Sequence, residues 1–385
     1  MIYWDYNATT PLRPEVASGL VKALAETGDA PGNASSVHRG GRHWRTRLES
    51  ARARVAKVLG CEPREVCFTS SGSEADALAL KGAFLGRRDK ARTRIVTSQI
   101  EHPAAMGALK QLESLGAKAT RVPPRPDGQV DPERLIAELT PDVALCSLMW
   151  ANNETGVLQP VAQVARACRE RSILFHTDAV QAAGKVPVSL REVDAHLLSV
   201  SAHKFYGPAG IGALVVRRGV DLESLVPGHQ EFGRRGGTSS VPYAESLANA
   251  LELASAGLQE ESARLSTLRD RFERELLSGV AGVRIHGASA TRVPNTSSVE
   301  FIGADGEALL IALDLAGICV SSGAACASGS LSPSHVLTAM GLTSAQAHSC
   351  LRFSLGAGSS SAELEKVLEA LRENVPKARQ AAMAS

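Results

Sequence analysis

The chain has 385 residues, of which 44% are hydrophobic, and its 42 Lys and Arg nearly balance its 40 Asp and Glu. This length suits one large domain with a satellite or two domains, and the hydrophobic fraction is ample for a packed core. No basic stripe and no run of roughly 18 apolar residues occurs, which argues against nucleic acid as a main partner and against a membrane helix.

The N-terminal stretch "MIYWDYNATTPLRP" has no charged region followed by an apolar one, so no signal peptide is expected and a cytoplasmic location is predicted. From about residue 50 to 220, short apolar strand-like runs alternate with amphipathic helical stretches. The strand-like runs are "EVCFT" (65–69), "RIVTS" (94–98), "DVALCSLMW" (142–150), "SILFHTD" (172–178), "DAHLLSVS" (194–201) and "IGALVVRR" (211–218). Asp131 and Pro132 predict a capped helix start. This alternation predicts an α/β fold with a mostly parallel sheet covered by helices.

Residues 243–279 contain few helix breakers and predict a nearly continuous helix that leaves the large domain. Beyond it, "VRIHG", "SSVEFIG" and "LRFSLG" predict short strands, and helices are expected at about 305–316, 334–341 and 361–381. We therefore predict a large domain over 15–255 and a smaller α+β domain built from 1–14 and 256–385.

The seven cysteines are odd in number, widely spaced and outside any CxxC pair. Free thiols in a reducing compartment are expected, and a structural zinc site is not. Six of them are predicted to be structural: Cys61, Cys67, Cys146, Cys168, Cys319 and Cys350.

Polar residues follow the predicted strands at the edge where open α/β sheets bind ligands. They are Gly72 and Ser73 in "SSGSEA", His102, Asn152, Asn153, Asp178, Gln181, Ser201, His203 and Lys204. Each has an ordinary explanation by itself, such as a helix cap, a turn or a solvated charge. Together they suit pyridoxal 5′-phosphate, which needs a helix N-terminus for its phosphate, a carboxylate for its ring nitrogen and a lysine for its aldehyde.

Ordered motifs along almost the whole chain resemble those of the cysteine desulfurases, which are fold-type I pyridoxal-phosphate enzymes of the class-V aminotransferases. They include "DYNATTPLRPEV" (5–16), "GNASSVHRGGR" (32–42), "TSSGSEAD" (69–76), "ANNETGVLQP" (151–160), "HTDAVQAAGK" (176–185), "SAHKFYGPAGIGAL" (201–214) and "RFSLG" (352–356). The resemblance implies pyridoxal 5′-phosphate as cofactor, L-cysteine as substrate and a homodimer.

The resemblance also implies roles for individual residues. Lys204 would hold the cofactor's aldehyde and later move the substrate's α-proton, while Asp178 would pair with the ring nitrogen. His102 would stack on the ring and act in acid–base steps, and Gln181 would hydrogen-bond the phenolic oxygen.

The same resemblance assigns the phosphate to the turn at Gly72 and Ser73 together with Ser201 and His203. Thr238, in "GRRGGT", would reach the phosphate of the partner subunit.

Asn153 and Arg352 would bind the substrate carboxylate, the arginine as a bidentate pair. The stretch "PGHQEFGRRGGT" departs from the family's common pattern, because Pro227 and His229 stand where glycines are usual. The phosphate turn likewise carries serines where Gly or Ala and Thr are common.

Cys326 lies in "SSGAACASGS" (321–330), and the resemblance implies that it is the nucleophile that takes the substrate sulfur as a persulfide. The surrounding Gly, Ala and Ser favour a loop with few side-chain contacts and resemble the longer-loop subgroup of the family. Two other interpretations of Cys326 are a small buried residue and a ligand that contacts an iron–sulfur cluster transiently. No permanent metal site is expected.

Several functions remain open at this point. Other fold-type I reactions, such as transamination, selenocysteine lysis or sulfinate lysis, share the cofactor residues, although transamination needs no thiol. A non-catalytic scaffold with this fold is the alternative from another class. The acceptor is expected to be a protein such as an iron–sulfur scaffold, and the sequence does not separate cluster assembly from nitrogenase maturation, tRNA thiolation or selenium delivery.

Overall fold

The computed structural model describes residues 1–322 and 333–384. Its strands are β1 (Ile2–Tyr3), β2 (Val66–Thr69), β3 (Arg94–Ser98), β4 (Lys118–Val122), β5 (Val143–Ser147), β6 (Leu174–Asp178), β7 (Leu197–Ser201), β8 (Gly212–Val216), β9 (Val283–His286), β10 (Thr296–Phe301), β11 (Ile318–Cys319), β12 (Ser321–Ser322) and β13 (Cys350–Ser354). Its helices are α1 (Pro14–Asp29), α2 (Arg39–Leu59), α3 (Gly72–Ala77), α4 (Ala83–Gly86), α5 (Pro103–Ser114), α6 (Pro132–Ala137), α7 (Val161–Glu170), α8 (Val241–Ala256), α9 (Leu258–Gly279), α10 (Gly306–Leu315), α11 (His335–Ala339), α12 (Ser344–His348) and α13 (Ser361–Ala384).

The large sheet has the strand order β2-β8-β7-β6-β5-β3-β4. Strands β3 to β7 pair in parallel, whereas β8 is antiparallel to both of its neighbours. The predicted mostly parallel, helix-covered sheet is therefore confirmed. Strand β4 was not predicted, because this edge strand reads "KATRV" and has only one buried residue, Val122. Its polar composition is typical of an edge and hides it from a search for apolar runs.

The predicted helices of the large sheet are present. The capped start at Asp131 is confirmed, since its side chain accepts from two backbone N–H groups of α6. Two local differences occur, and the first is a π-helical segment, Leu78–Gly82, that joins α3 and α4. The predicted helix over 243–279 is interrupted at Gly257 (φ −91°, ψ 4°), a residue type that weakens helices. No helix in the described ranges is both long and apolar enough to cross a membrane.

The C-terminal region forms a second, four-stranded antiparallel sheet in the order β12-β13-β10-β9. Its apolar cluster includes Trp4 from the N-terminal segment, whose ring lies 5.2 Å from that of Phe272 and 6.4 Å from that of Phe353. This packing joins the chain's beginning to its end, and the domain boundaries at 14/15 and 255/256 remain our proposal. Helix α12 was not predicted; it is one turn long and closed by a capping box between Thr343 and Gln346.

The N-terminal segment joins the small sheet to the large one. Within the small sheet, Arg352 of β13 lies opposite Ser298 of β10 and Ser321 of β12, and the segment after β1 runs beside β13 through a bridge between Asp5 and Ser354. Two residues further on, the carbonyl of Asn7 accepts hydrogen bonds from Gln181 and Lys204, which follow strands β6 and β7 of the large sheet.

Candidate active site

A cavity of about 340 Å³ opens at the carboxyl ends of the parallel strands. This volume lies in the range of small-molecule sites. The predicted residues that line it are Gly72, Ser73, His102, Asn153, Asp178, Gln181, Ser201, His203, Lys204 and Arg352, and the others are Asn7, Ala8, Ser71, Asp76, Met149 and Val180. The cavity thus gathers residues that are up to 345 positions apart in sequence, from Asn7 to Arg352, and it lies where open α/β sheets bind ligands.

Three candidates do not line this cavity. Thr238 is exposed on a segment away from it. Asn152 is buried and shapes its own turn, because its Oδ1 accepts from the backbone N–H groups of Glu154 and Thr155 at 2.9 and 3.0 Å. Cys326 lies outside the described residues.

The predicted phosphate turn is a tightly packed helix start. Ser71 caps α3, since its Oγ accepts from the N–H of Glu74 at 3.1 Å. A Cβ added to Gly72 would lie 2.8 Å from Val180 Cγ2 and 3.2 Å from the Cβ of Ser201. Only glycine lets this backbone approach Ser201 so closely, and the first N–H groups of the helix face the cavity side where an anion would be stabilised.

Lys204 follows β7 on a single 3₁₀ turn, Ala202–Lys204. Its Nζ donates to the backbone carbonyls of Asn7 and Ala8, both at 2.6 Å. The N-terminal segment therefore holds the amine at the cavity with neutral acceptors.

Asp178 ends β6 and belongs to a buried acidic cluster, which we define as Asp76, Glu101 and Asp178. Asp178 Oδ1 accepts from the N–H of Val180 at 2.8 Å, and burial raises the pKa of Asp178 to about 6. Burial also raises the pKa of Glu101 to about 8 and that of Asp76 well above its ordinary value. Among the described residues, Asp76 Oδ1 and Glu101 Oε2 have no hydrogen-bond partner.

Both cavity histidines are held in their neutral form. His102 begins α5, and its Nδ1 accepts from the N–H of Ala104 at 3.2 Å. Burial, and then the charge of Lys204, lowers the pKa of His102 to about 4. The same causes lower the pKa of His203 to about 4, and its Nδ1 lies 3.1 Å from Thr9 Oγ1.

Arg352 reaches the cavity from β13 with its Nε unpaired among the described residues. Its Nη1 donates to the carbonyl of Asn153 at 3.0 Å, and its Nη2 pairs with Asp5 Oδ1 at 2.7 Å. Its Nε is buried and has no partner among the described residues. A buried guanidinium with an unused N–H suits an anionic ligand.

Sequence reasoning missed Asn7 and Lys185, which connect these groups. The backbone carbonyl of Asn7 accepts from Gln181 Nε2 at 2.9 Å as well as from Lys204. Lys185 is buried, and its Nζ donates to Asn7 Oδ1 at 2.9 Å and to Gln181 Oε1. The available signal was their presence inside the motifs "DYNATTPLRPEV" and "HTDAVQAAGK", but a pattern of residue types does not show which side chains meet.

Known proteins of one family are similar to this chain over nearly its whole length. The family described as aminotransferase class-V matches residues 2–367. A cysteine desulfurase of Cereibacter sphaeroides is 45% identical over 373 residues, which cover 96% of this chain and 94% of that protein. One from Trichormus azollae is 42% identical over 380 residues, covering 98% and 94%. A solved NifS-like protein has a TM-score of 0.90 and 35% identity, covering 98% of this chain and 99% of its own.

Proposed function

This chain belongs to the class-V aminotransferases and is an enzyme of the cysteine desulfurase type, and from that premise we propose how its own residues perform the reaction. The proposal is a pyridoxal 5′-phosphate enzyme that converts L-cysteine to L-alanine and keeps the sulfur as a persulfide on Cys326. The predicted fold type I agrees with the NifS-like fold of the similar structure.

The cavity residues fit this cofactor. Asp178 provides a buried carboxyl for the ring nitrogen, the start of α3 at Gly72 and Ser73 provides N–H groups for the phosphate, and Lys204 provides the amine for the aldehyde. With Ser201 and His203 on the phosphate side, each group that the cofactor requires has a partner of suitable chemistry. When bound, the cofactor supplies the electron sink that acidifies the substrate's α-carbon.

The remaining steps depend on the chain's own groups. The unused Nε of Arg352 and the side chain of Asn153 bind and orient the substrate carboxylate, and the Asp5 pair holds the guanidinium in place. Lys204, whose Nζ is held by the Asn7 and Ala8 carbonyls, would remove the α-proton of the bound substrate. Neutral His102 is able to accept or return a proton at this stage.

Cys326 completes the reaction in this proposal. Its thiolate attacks the substrate sulfur, so that an S–S bond forms while the bond between that sulfur and the substrate's Cβ breaks. The electron pair of the broken bond stays with the carbon skeleton, which is protonated and leaves as alanine. The balance needs no external oxidant, and a protein acceptor such as an iron–sulfur scaffold later takes the sulfur.

We further propose a cytoplasmic homodimer in which Thr238 reaches the partner's phosphate group. Exposed Thr238 follows an anchored segment, because the buried pair of Arg52 Nη1 and Glu231 Oε2 at 2.6 Å fixes the chain a few residues earlier. The N–H of Phe68 also donates to Glu231 at 2.8 Å. A fixed segment with an exposed hydroxyl is suited to complete a neighbouring site.

The observation that carries the function is the convergence of the predicted cofactor and substrate residues on one cavity. The test is single-turnover mass spectrometry of the cofactor-loaded protein after L-cysteine is added. We expect alanine and the added mass of one sulfur atom on the peptide that contains Cys326.

The Cys326→Ala variant should bind cofactor and substrate. It should form no persulfide and should not release sulfide over repeated catalytic cycles. Cys319→Ala, which changes a half-buried free thiol a few residues earlier, is the matched control and should behave as wild type. Full sulfide release by Cys326→Ala would refute the nucleophile assignment, and alanine without an adduct would point to a different lyase.

A further inference from the structure

Lys185 is a buried lysine whose partners are amide oxygens. Only 7% of its surface is exposed, and within residues 1–322 and 333–384 no carboxylate forms an ion pair with it. Its Nζ donates to Asn7 Oδ1 at 2.9 Å and to Gln181 Oε1. A buried amine of this kind is costly, and burial followed by the charge of Lys204 lowers its pKa well below the ordinary value. Such a group calls for a functional explanation.

These two hydrogen bonds help to fix how both amides are oriented, and Asn295 Nδ2 also donates to Asn7 Oδ1, at 3.1 Å. A lysine side chain carries N–H donors that must meet oxygens, so the amide nitrogens of Asn7 and Gln181 point the other way. Asn7 Nδ2 donates to the carbonyl of Asn153 at 3.1 Å and to Thr296 Oγ1 at 2.8 Å. Gln181 Nε2 donates to the carbonyl of Asn7 at 2.9 Å.

One N–H of Gln181 is left over by this arrangement. Its Nε2 has two hydrogens, of which one is used on Asn7, and the side chain lines the cavity. The carbonyl of Asn7 that receives this bond also receives one from Lys204 at 2.6 Å. Lys185 therefore bonds directly to the amide that faces the ligand and reaches the amine of Lys204 through one residue, Asn7.

We propose that Lys185 is a positioning residue of the active site: by holding the side-chain oxygens of Asn7 and Gln181, it keeps an N–H of Gln181 directed at the cavity and the Asn7 carbonyl at Lys204. The inference rests on the proposed function, since the group that receives the Gln181 N–H is the ring oxygen of the cofactor. An N–H at that oxygen would stabilise its anionic form.

The first test follows the visible absorbance of the pyridoxal-phosphate-loaded protein as a function of pH. K185M keeps the length of the side chain but removes its donors, and K57M makes the same change at an exposed position of α2. The midpoint is the pH at which the change in visible absorbance is half complete. Because K185M loses the directed N–H of Gln181 that favours the anionic ring oxygen, we expect its midpoint to move upward by about one pH unit or more. The midpoint of K57M should stay at the wild-type value.

A double-mutant cycle tests whether Lys185 acts through Gln181. Q181L should raise the midpoint by itself, and K185M/Q181L should raise it by clearly less than the sum of the two single shifts, because both remove one interaction. Simple additivity would overturn the positioning role. If K185M does not fold, as judged by circular dichroism, K185L, which also lacks donors, is measured instead and the same shift is expected.

A measurement without cofactor gives an independent readout. The pH dependence of Lys204 acetylation by acetic anhydride is followed on its peptide by mass spectrometry in the cofactor-free protein. Loss of the Lys185 donors should change how the Asn7 carbonyl meets Lys204, so the labelling midpoint of Lys204 should shift in K185M and stay unchanged in K57M.

The outcomes separate the two proposals. If wild type and K57M develop no visible band with pyridoxal 5′-phosphate, the proposed function fails and this inference fails with it. If the band develops and L-alanine forms, but K185M has the spectral and labelling midpoints of K57M, only the role of Lys185 is refuted.

Discussion

Two clusters of ionisable side chains at the active site are built in opposite ways. In the acidic cluster, Asp76 and Glu101 each keep an oxygen without a hydrogen-bond partner among the described residues. Lys185 and Lys204, which we call the amine cluster, instead donate to oxygens of Asn7, Ala8 and Gln181. Burial raises the carboxyl pKa values and lowers that of Lys185, because loss of water disfavours charge of either sign. The comparison shows one physical cause, burial, acting on both clusters.

The largest expected effect lies in the amine cluster. Lys204→Ala removes the group that holds the cofactor and moves the substrate proton, and we expect alanine formation to fall by at least about 10³-fold. The measurement is the rate of alanine formation at saturating L-cysteine.

Lys185→Met is the matched variant in the same cluster and should keep measurable turnover. Equal loss in both variants would contradict the distinction between a catalytic and a positioning lysine.

The next effect lies in the acidic cluster. Asp178→Asn replaces the carboxyl proposed for the ring nitrogen, and we expect the turnover number to fall by about 10²- to 10³-fold with the cofactor still bound. Steady-state kinetics would measure the turnover number, and the visible spectrum would show whether the cofactor is still bound.

Asp76→Asn is the comparison within that cluster. Burial raises the pKa of Asp76 well above its ordinary value and so favours the neutral carboxyl, whose shape an amide nearly reproduces. Activity should change only a few-fold, and a loss as large as that of Asp178→Asn would show that the two carboxyls share one role.

A smaller effect is expected where the two sheets meet. Arg352→Lys keeps the charge but loses the planar set of donors, so the KM for L-cysteine should rise on the order of tenfold to a hundredfold. The turnover number should change less.

Arg284→Lys, on the exposed face of β9, is the control and should leave KM unchanged. An unchanged KM in Arg352→Lys would remove this arginine from the substrate site.

The smallest effect concerns stability rather than catalysis. Folding raises the pKa of Glu101 from 4.5 to about 8, so the folded state favours the protonated carboxyl. The contribution of this preference to the free energy of unfolding is complete below about pH 4.5 and is lost as the pH rises toward 8. In Glu101→Gln this part of the pH dependence should disappear, a difference of a few kcal/mol at most.

Urea unfolding of the cofactor-free protein at several pH values between 5 and 9 would measure the difference. Asp76 and Asp178 should leave a residual slope in the variant. A variant curve parallel to that of wild type would show that Glu101 is not the titrating group.

The sequence by itself determined most strands of the large sheet and the chemistry of the site. The run "DVALCSLMW" contains the observed β5, because a fully buried parallel strand is a nearly continuous apolar run. The residues after those strands, including His102 and Lys204, line one cavity because the parallel order brings carboxyl ends to one edge. Local patterns of this kind are readable since each depends on neighbours in sequence.

Only the tertiary structure decided which groups meet across the chain. The bond from Lys185 to Asn7 spans 178 positions, and the ion pair between Arg352 and Asp5 spans 347. Neither has a sequence signal, because a buried lysine and an exposed one are the same letter and their partners are chosen by packing. The pKa shifts of the acidic cluster follow from the same packing, since burial, rather than residue type, sets the cost of charge.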